Sequence, residues 1–350
     1  MNKNFEANFA ATAIGSFPHD NISDACNLIQ DTLPEVPCWP QLTARGIYEE
    51  MCIQYTENLP GFEIDFGQKI GILEANDKFN TELETFYKKY MEKDVNYFAI
   101  TEKYGSGFHA MIKRLEESDR SNMIAVKGQI VGPITLAGIT KDREKIASIY
   151  NDICFDAIVK TLAMKATWQL EQFERFDIQR IIFVDEPYLA SIGSAFANID
   201  KSKVISSLNE VFNAIHEKDG LAGIHCCGNT DWSMLIETSI DIINFDAFGY
   251  MDSLILYGKE VKSFLERGGI LAWGIVPTSD EIEDATLDDL ISKMNAGIKK
   301  LVDNGIDPKL IFRNSLVTPS CGTGSLDIKN AEKAMQLTKS VSMKLKETLG

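Results

Sequence analysis

The run Leu221-Ala-Gly-Ile224 is followed at once by His225-Cys226-Cys227-Gly228, which sets an imidazole and a thiol two residues apart. In an extended strand, residues two apart point to the same side, so His225 and Cys227 can face one metal ion while Cys226 turns toward the opposite layer. A His-x-Cys pair alone is a weak pattern. It gains weight from a third soft ligand, Cys321 in Pro319-Ser-Cys-Gly-Thr-Gly324, which closes another apolar run. Asp246 closes the run between them and is a candidate fourth ligand; the plainer role of a strand-end aspartate is a helix N-cap or hydrogen-bond anchor. One nitrogen, two sulfurs and a carboxylate oxygen suit Zn2+, and catalytic zinc sites leave one position for substrate or water. A carboxylate that yields its position to an incoming thiol would let the metal favour the thiolate, turning a poor nucleophile into a competent one at neutral pH.

Other polar residues gather where apolar runs end. Asp185-Glu186-Pro187 follows Ile181 to Val184. That pair reads either as a helix-start carboxylate pair or as groups that bind a substrate ammonium or position a proton. Ser16 and His19 flank Phe17-Pro18 in a strand-exit loop and are candidate substrate contacts. Gln41, Gly132-Pro-Ile-Thr135, Pro277-Thr278 and the Gly322-Thr323-Gly324 loop end other runs. Cys26, Cys38, Cys52, Cys154 and Cys226 read as ordinary buried packing residues. His109 and His216 sit in helical patterns and read as surface or core.

These residues need a scaffold that brings distant strand ends together. Eight apolar or β-branched runs recur, at 9–18, 37–42, 124–135, 180–187, 221–228, 241–248, 269–277 and 309–322, near-continuous as in parallel strands covered on both faces. Amphipathic stretches at 22–33, 143–176, 201–220, 252–269 and 286–305 lie between them, several ending in a basic turn and a glycine. The expected fold is α/β, a single (β/α)8 TIM barrel spanning 1–350, whose active site would lie at the C-terminal ends of the strands. A doubly wound open sheet is the competing architecture. The segment 43–123 is long for one connection. It is read as an insertion over the barrel mouth, holding a hairpin in GFEIDFGQKIGIL and two further helices.

The chain has 350 residues and a net charge of −16, a sign that repels nucleic acid and anionic membranes, so neither is an expected partner. The first residues show no apolar leader, and no run approaches the length of a membrane helix. The seven cysteines, an odd count without an export signal, argue against a disulfide framework and for metal or catalytic roles. A cytoplasmic location is the expectation.

Ile14-Gly-Ser-Phe-Pro18, Gly132-Pro-Ile-Thr135, Asp185-Glu-Pro187, His225-x-Cys227, Gly274-Ile-Val-Pro277 and Ser320-Cys321-Gly322 occur in this order over nearly the whole chain. Together they resemble the catalytic barrel of cobalamin-independent methionine synthase, within a superfamily that includes uroporphyrinogen decarboxylase. The resemblance implies a zinc-dependent methyltransferase with homocysteine or a related small thiol as acceptor. Zinc would be held by His225, Cys227 and Cys321, with Asp246 where the family has a glutamate. Ser16 and Asp185 would hold the amino acid. The chain opens almost directly at the first strand of that barrel and so resembles short, single-barrel forms, for which a methyl-corrinoid protein or methylcobalamin replaces or competes with methyl-folate as donor. Two other readings stand beside it. A metal-free decarboxylase of the uroporphyrinogen type would need an N-terminal arginine cluster, and the arginine nearest that strand exit is Arg45. A non-catalytic barrel that senses thiols through zinc is the third.

Overall fold

A computed structural model describes residues 5–68, 70–74, 78–191 and 199–349. Part of the leader reading (residues 1–4) and Lys69 of the expected hairpin lie outside them. The strands are β1 (Ala10–Ala11), β2 (Phe62–Asp65), β3 (Ile70–Leu73), β4 (Ala125–Val131), β5 (Gln179–Asp185), β6 (Gly220–Cys226), β7 (Ile242–Phe245), β8 (Ile270–Val276) and β9 (Ser315–Pro319). Seven form one curled sheet in the order β1-β9-β8-β7-β6-β5-β4, with every pairing parallel. Helices follow most strands and cover the outer face, as consecutive parallel strands require.

The expected closed eight-stranded barrel is overturned. The sheet is a seven-stranded half-barrel whose edge strands β1 and β4 do not pair with each other. The run 37–42, expected as a strand, makes only two isolated bridges, Cys38 to Lys127 and Ser16 to Gln41. Pro37 and Pro40 explain this, because each lacks the backbone N–H that a ladder needs. The run at 9–18 shrinks to two residues: Asn8 and Phe9 enter with positive φ, and Gly15 leaves at φ 142°. The first half of the run at 309–322 is instead the helix Pro308–Arg313, started by Asp307, whose side chain accepts from the Lys309 N–H, and by a proline at the first turn.

Other expectations fit. β2 and β3 pair antiparallel as the hairpin. The helices Phe79–Met91 and Ser106–Glu117 follow in the 43–123 segment, with short helices that were not anticipated at Thr43–Arg45, Ile47–Glu49, Ile53–Tyr55 and Val95–Phe98, and Phe79, Phe86, Phe98 and Phe108 from it join the same hydrophobic cluster as the sheet. The helix Leu287–Asp303 is capped by Thr286, carries Asp288 and Asp289 in its first turn, and is followed by Gly305 at φ 82°. The stretch 252–269 is two helices, Met251–Ile255 and Gly258–Glu266. The closing helix Ile328–Leu349 was not anticipated. Among the described residues no helix is long and apolar enough to cross a membrane.

Period-two alternation splits the sheet into two environments. On the concave face, Ala10, Ile181, Leu221, Ile242, Ile270 and Leu316 form a separate apolar layer. Nearer the C-terminal ends the inward residues turn polar, and there the chemistry begins.

Candidate metal centre

Parallel register aligns side chains across neighbouring strands. Asp185 on β5 is the partner of His225 on β6, and His225 is the partner of Asn244 on β7. Residues in such a row face the same side of the sheet, so three polar side chains stand abreast above the apolar layer. Cys227 lies one residue beyond β6, and Cys321 two residues beyond β9.

The ligand atoms of His225, Cys227 and Cys321 all lie within 4.8 Å of one another, and the group is suited to a metal ion. His225 is buried, and its Nε2 has no hydrogen-bond partner. Its Nδ1 lies 2.5 Å from Asn244 Oδ1. Asn244 cannot exchange its roles: its Nδ2 donates to Ala272 O at 2.9 Å and to Thr318 Oγ1 at 2.8 Å. Its oxygen therefore accepts, Nδ1 carries the proton, and the Nε2 lone pair is left toward the two sulfurs. This is the orientation a metal-binding histidine needs from its second neighbour. Replacing Asn244 by leucine is expected to weaken metal binding about 10- to 100-fold, measured by competition with a chromogenic chelator. Asn244→Asp keeps the acceptor but sets a carboxylate oxygen against Ala272 O, so it is expected to retain more of the affinity than leucine and less than the parent.

The two thiols act as a pair. Cys227 is lowered well below the usual thiol range, chiefly by the Cys321 thiol donating toward it and then by the His225 imidazole. Cys321 is pushed well up, chiefly because it holds the shared proton against the Cys227 thiolate. Burial pulls the His225 imidazole down, but Cys227, Asp185 and Asn244 outweigh it and leave it raised. A dication would replace the proton that these groups share and satisfy the bare Nε2. The donor set thus fits a metal ion, and soft sulfur with imidazole matches a borderline-soft one.

Asp246 does not join this group. One of its carboxylate oxygens accepts from the Gly249 N–H at 2.7 Å, making the turn after β7. It remains within the field of His225 and Cys227, and burial raises it.

Asp185 is 7% exposed and its Oδ1 has no partner. Burial raises it to about 6, against lowering by His225 and Lys127. Glu186 is placed differently. Its oxygens accept from the Ile134 N–H at 2.8 Å, the Thr135 N–H at 2.7 Å and Thr135 Oγ1 at 2.6 Å, so it holds the start of the helix Pro133–Ile139. Glu186 thus serves a helix start, that of Pro133–Ile139 after the neighbouring strand and not one beginning at the pair itself, while Asp185 keeps an unpartnered oxygen.

Ser16 is tied to the Cys321 loop. Its carbonyl accepts from Thr323 N and Thr323 Oγ1, both at 2.9 Å. A Cβ on Gly322 would stand 2.0 Å from Ser16 Oγ, so a larger residue there would force the Ser16 hydroxyl to turn away. His19 is buried, packs edge-on to Phe17, and has an unpartnered Nδ1.

The five cysteines read as packing residues are all buried, and burial lifts Cys226 to about 12. His109 contacts Ile100 O at 2.7 Å and His216 contacts Asp241 at 2.7 Å, as helical structural residues do.

Two participants escaped sequence reasoning. Asn244 lies inside the apolar run Ile242-Ile-Asn-Phe245, and Lys127 inside Ala125-Val-Lys-Gly128. A single polar residue inside an apolar strand run is the signal that would have found both. Lys127 is fully buried, donating to Ile14 O at 2.6 Å and Gln129 Oε1 at 3.2 Å, and supplies positive charge near Asp185. No protein-family model matches this chain, and no curated protein matches it either.

Proposed function

We propose that this chain is a zinc-dependent methyltransferase that activates the thiol of homocysteine or a close relative and accepts a methyl group from a methyl-corrinoid or methyl-folate donor. The observation that carries the reading is the convergence of His225 Nε2, Cys227 Sγ and Cys321 Sγ, with the imidazole tautomer fixed by Asn244. The motif order from Ser16 to Gly322 supports it. Zinc bound by this group would supply the Lewis acidity that lowers the pKa of a thiol ligand.

The protein's own groups do the rest. Asp185, one oxygen free and aligned beside His225, accepts from the substrate ammonium and so fixes where the thiol reaches. Ser16, tied to the Cys321 loop, and His19, three residues on and with an unpartnered Nδ1, take the substrate carboxylate. Burial of these groups keeps water from competing for the methyl group. The thiol proton passes to bulk water first. The sulfur lone pair then forms the new S–C bond as the donor's bond to its methyl carbon breaks, the bonding pair staying with the donor.

The test pairs zinc-loaded protein with methylcobalamin or methyltetrahydrofolate and follows methylation of homocysteine by mass spectrometry. S-methylation by at least one donor is expected. Homocysteine binding should weaken as pH falls, because Asp185, raised by burial, then protonates and no longer attracts the ammonium. A protein that binds zinc yet methylates no thiol with either donor would remove the reading.

A further inference from the structure

The segment 43–123 does more than pack against the sheet. Its short helix Ile53–Tyr55 is pinned from three sides. The Glu50 carboxylate accepts from the N–H groups of Cys52 and Ile53 at 2.8 and 3.1 Å. Gln41 Nε2 donates to Gln54 Oε1 at 2.6 Å, and Gln54 Nε2 donates to Tyr104 O at 2.6 Å. Gln41 is bridged in turn to Ser16. This turn thus hangs from the strand exit that carries Ser16 and His19.

Tyr55 is carried inward by that turn. It is 1% exposed, yet its hydroxyl has no hydrogen-bond partner. Buried tyrosine hydroxyls are normally bonded, because leaving one unmet costs its full desolvation. The neighbourhood is that of Asp185: burial and then the Asp185 charge hold the phenol well above its usual range, so it stays a neutral hydroxyl. Cys52, three residues earlier, feels the charges of both Asp185 and Glu186. Two polar atoms, Tyr55 Oη and Asp185 Oδ1, are each buried, each unpartnered and not bonded to one another.

Resting on the function proposed above, we infer that Tyr55 is a specificity-determining residue, whose hydroxyl joins Asp185 in receiving the substrate's ammonium group and thereby selects amino-acid thiols over thiols that lack the amine. The geometry suits this assignment. An ammonium has three donors; the Asp185 carboxylate, carried by the sheet, and the Tyr55 oxygen, carried by the inserted segment, are two buried acceptors that nothing else satisfies. The insertion then contributes to recognition and not only to cover. A thiol without the amine would leave both atoms as bare as they are now, which is how a site built for a polar group rejects its absence.

The experiment uses the full chain with cobalt(II) in the His225/Cys227/Cys321 group and titrates two thiols that differ only in the amine, homocysteine and 4-mercaptobutyrate. Binding of each is read from the sulfur-to-cobalt absorption, which needs no methyl donor. The unaltered protein is expected to prefer homocysteine by about tenfold or more, the usual worth of a hydrogen bond to a charged group. Tyr55→Phe is expected to weaken homocysteine about tenfold and leave 4-mercaptobutyrate within about twofold. The variant removes an oxygen that bonds nothing in the fold, so its melting temperature should be unchanged or higher. Loss of affinity for both thiols alike would mark Tyr55 as a packing residue and overturn the inference, as would an unchanged preference. If neither thiol alters the cobalt spectrum of the unaltered protein, the thiol-activating reading itself falls, and the role of Tyr55 falls with it.

Discussion

Purified protein carrying Cys227→Ser together with Cys321→Ser is expected to bind essentially no zinc, where the unaltered chain holds about one ion per molecule. The magnitude follows from how structural zinc affinity divides among ligands. Binding worth about 10–16 kcal/mol over four ligands leaves roughly 3 kcal/mol for each, or about a hundredfold per lost thiolate. Serine keeps the size of the side chain but offers a hydroxyl that does not ionise at neutral pH. The measurement is elemental analysis after exhaustive dialysis, with a chelator-competition titration to rank the single variants. Asp246→Asn belongs in the same series. With an oxygen of Asp246 occupied by the Gly249 N–H, its loss is expected to cost less than that of either cysteine. Zinc content that survives the double serine variant would mean the metal is held elsewhere, and the chemistry proposed for this site would have no centre.

The second large effect concerns stability. Glu186→Ala is expected to destabilise the fold by about 3 kcal/mol or more, read as a lower denaturant midpoint at unchanged slope. Glu186 is fully buried and serves three donors at once, the N–H groups of Ile134 and Thr135 and the Thr135 hydroxyl. Removing it strands all three in a dry interior, at about 1–3 kcal/mol for each that water cannot reach. The carboxylate itself is not comfortable: burial raises it to about 7 despite those donors. Glu186→Gln separates the two contributions. It keeps one acceptor and carries no charge, but turns an NH2 toward donors, so an intermediate loss is expected. Asp185→Ala serves as a control. Its Oδ1 bonds nothing, and this variant should leave stability near that of the parent while abolishing the preference for amine-bearing thiols. A Glu186→Ala protein as stable as the parent would show that the helix start finds other acceptors.

Adjacent in sequence, these two carboxylates show where reading residues stops. Asp185-Glu186 looks like one motif, and the resemblance to methionine synthase assigns the amino-acid site to its first member. Only the strand geometry separates them. At the end of β5, Asp185 still follows the alternation and faces inward beside His225, while Glu186, one residue on, takes the opposite direction and meets the Pro133–Ile139 helix. Asp246 shows a limit of another kind. Strand-end position made it a candidate ligand or a hydrogen-bond anchor, and the Gly249 N–H bond shows the anchoring, a local turn that a list of metal-binding residue types does not reveal.

The sequence by itself determined the parallel α/β character, the hairpin and two longer helices of the 43–123 segment and the His225, Cys227 and Cys321 group that could hold a metal ion. Each of these depends on local periodicity or on the chemistry of a residue type, and both are written along the chain. Whether eight apolar runs would close a cylinder was a tertiary matter. Pro37 and Pro40 deny the eighth run its ladder, and the sheet is left as a curled seven-stranded half-barrel. The tertiary structure alone likewise decided that Asn244 orients His225, that the buried Lys127 lends positive charge to Asp185, and that Tyr55 buries an unmet hydroxyl within the field of the Asp185 carboxylate. The cause in each case is that hydrogen bonding and desolvation act between residues dozens of positions apart, and no spacing along the chain encodes which of them will meet.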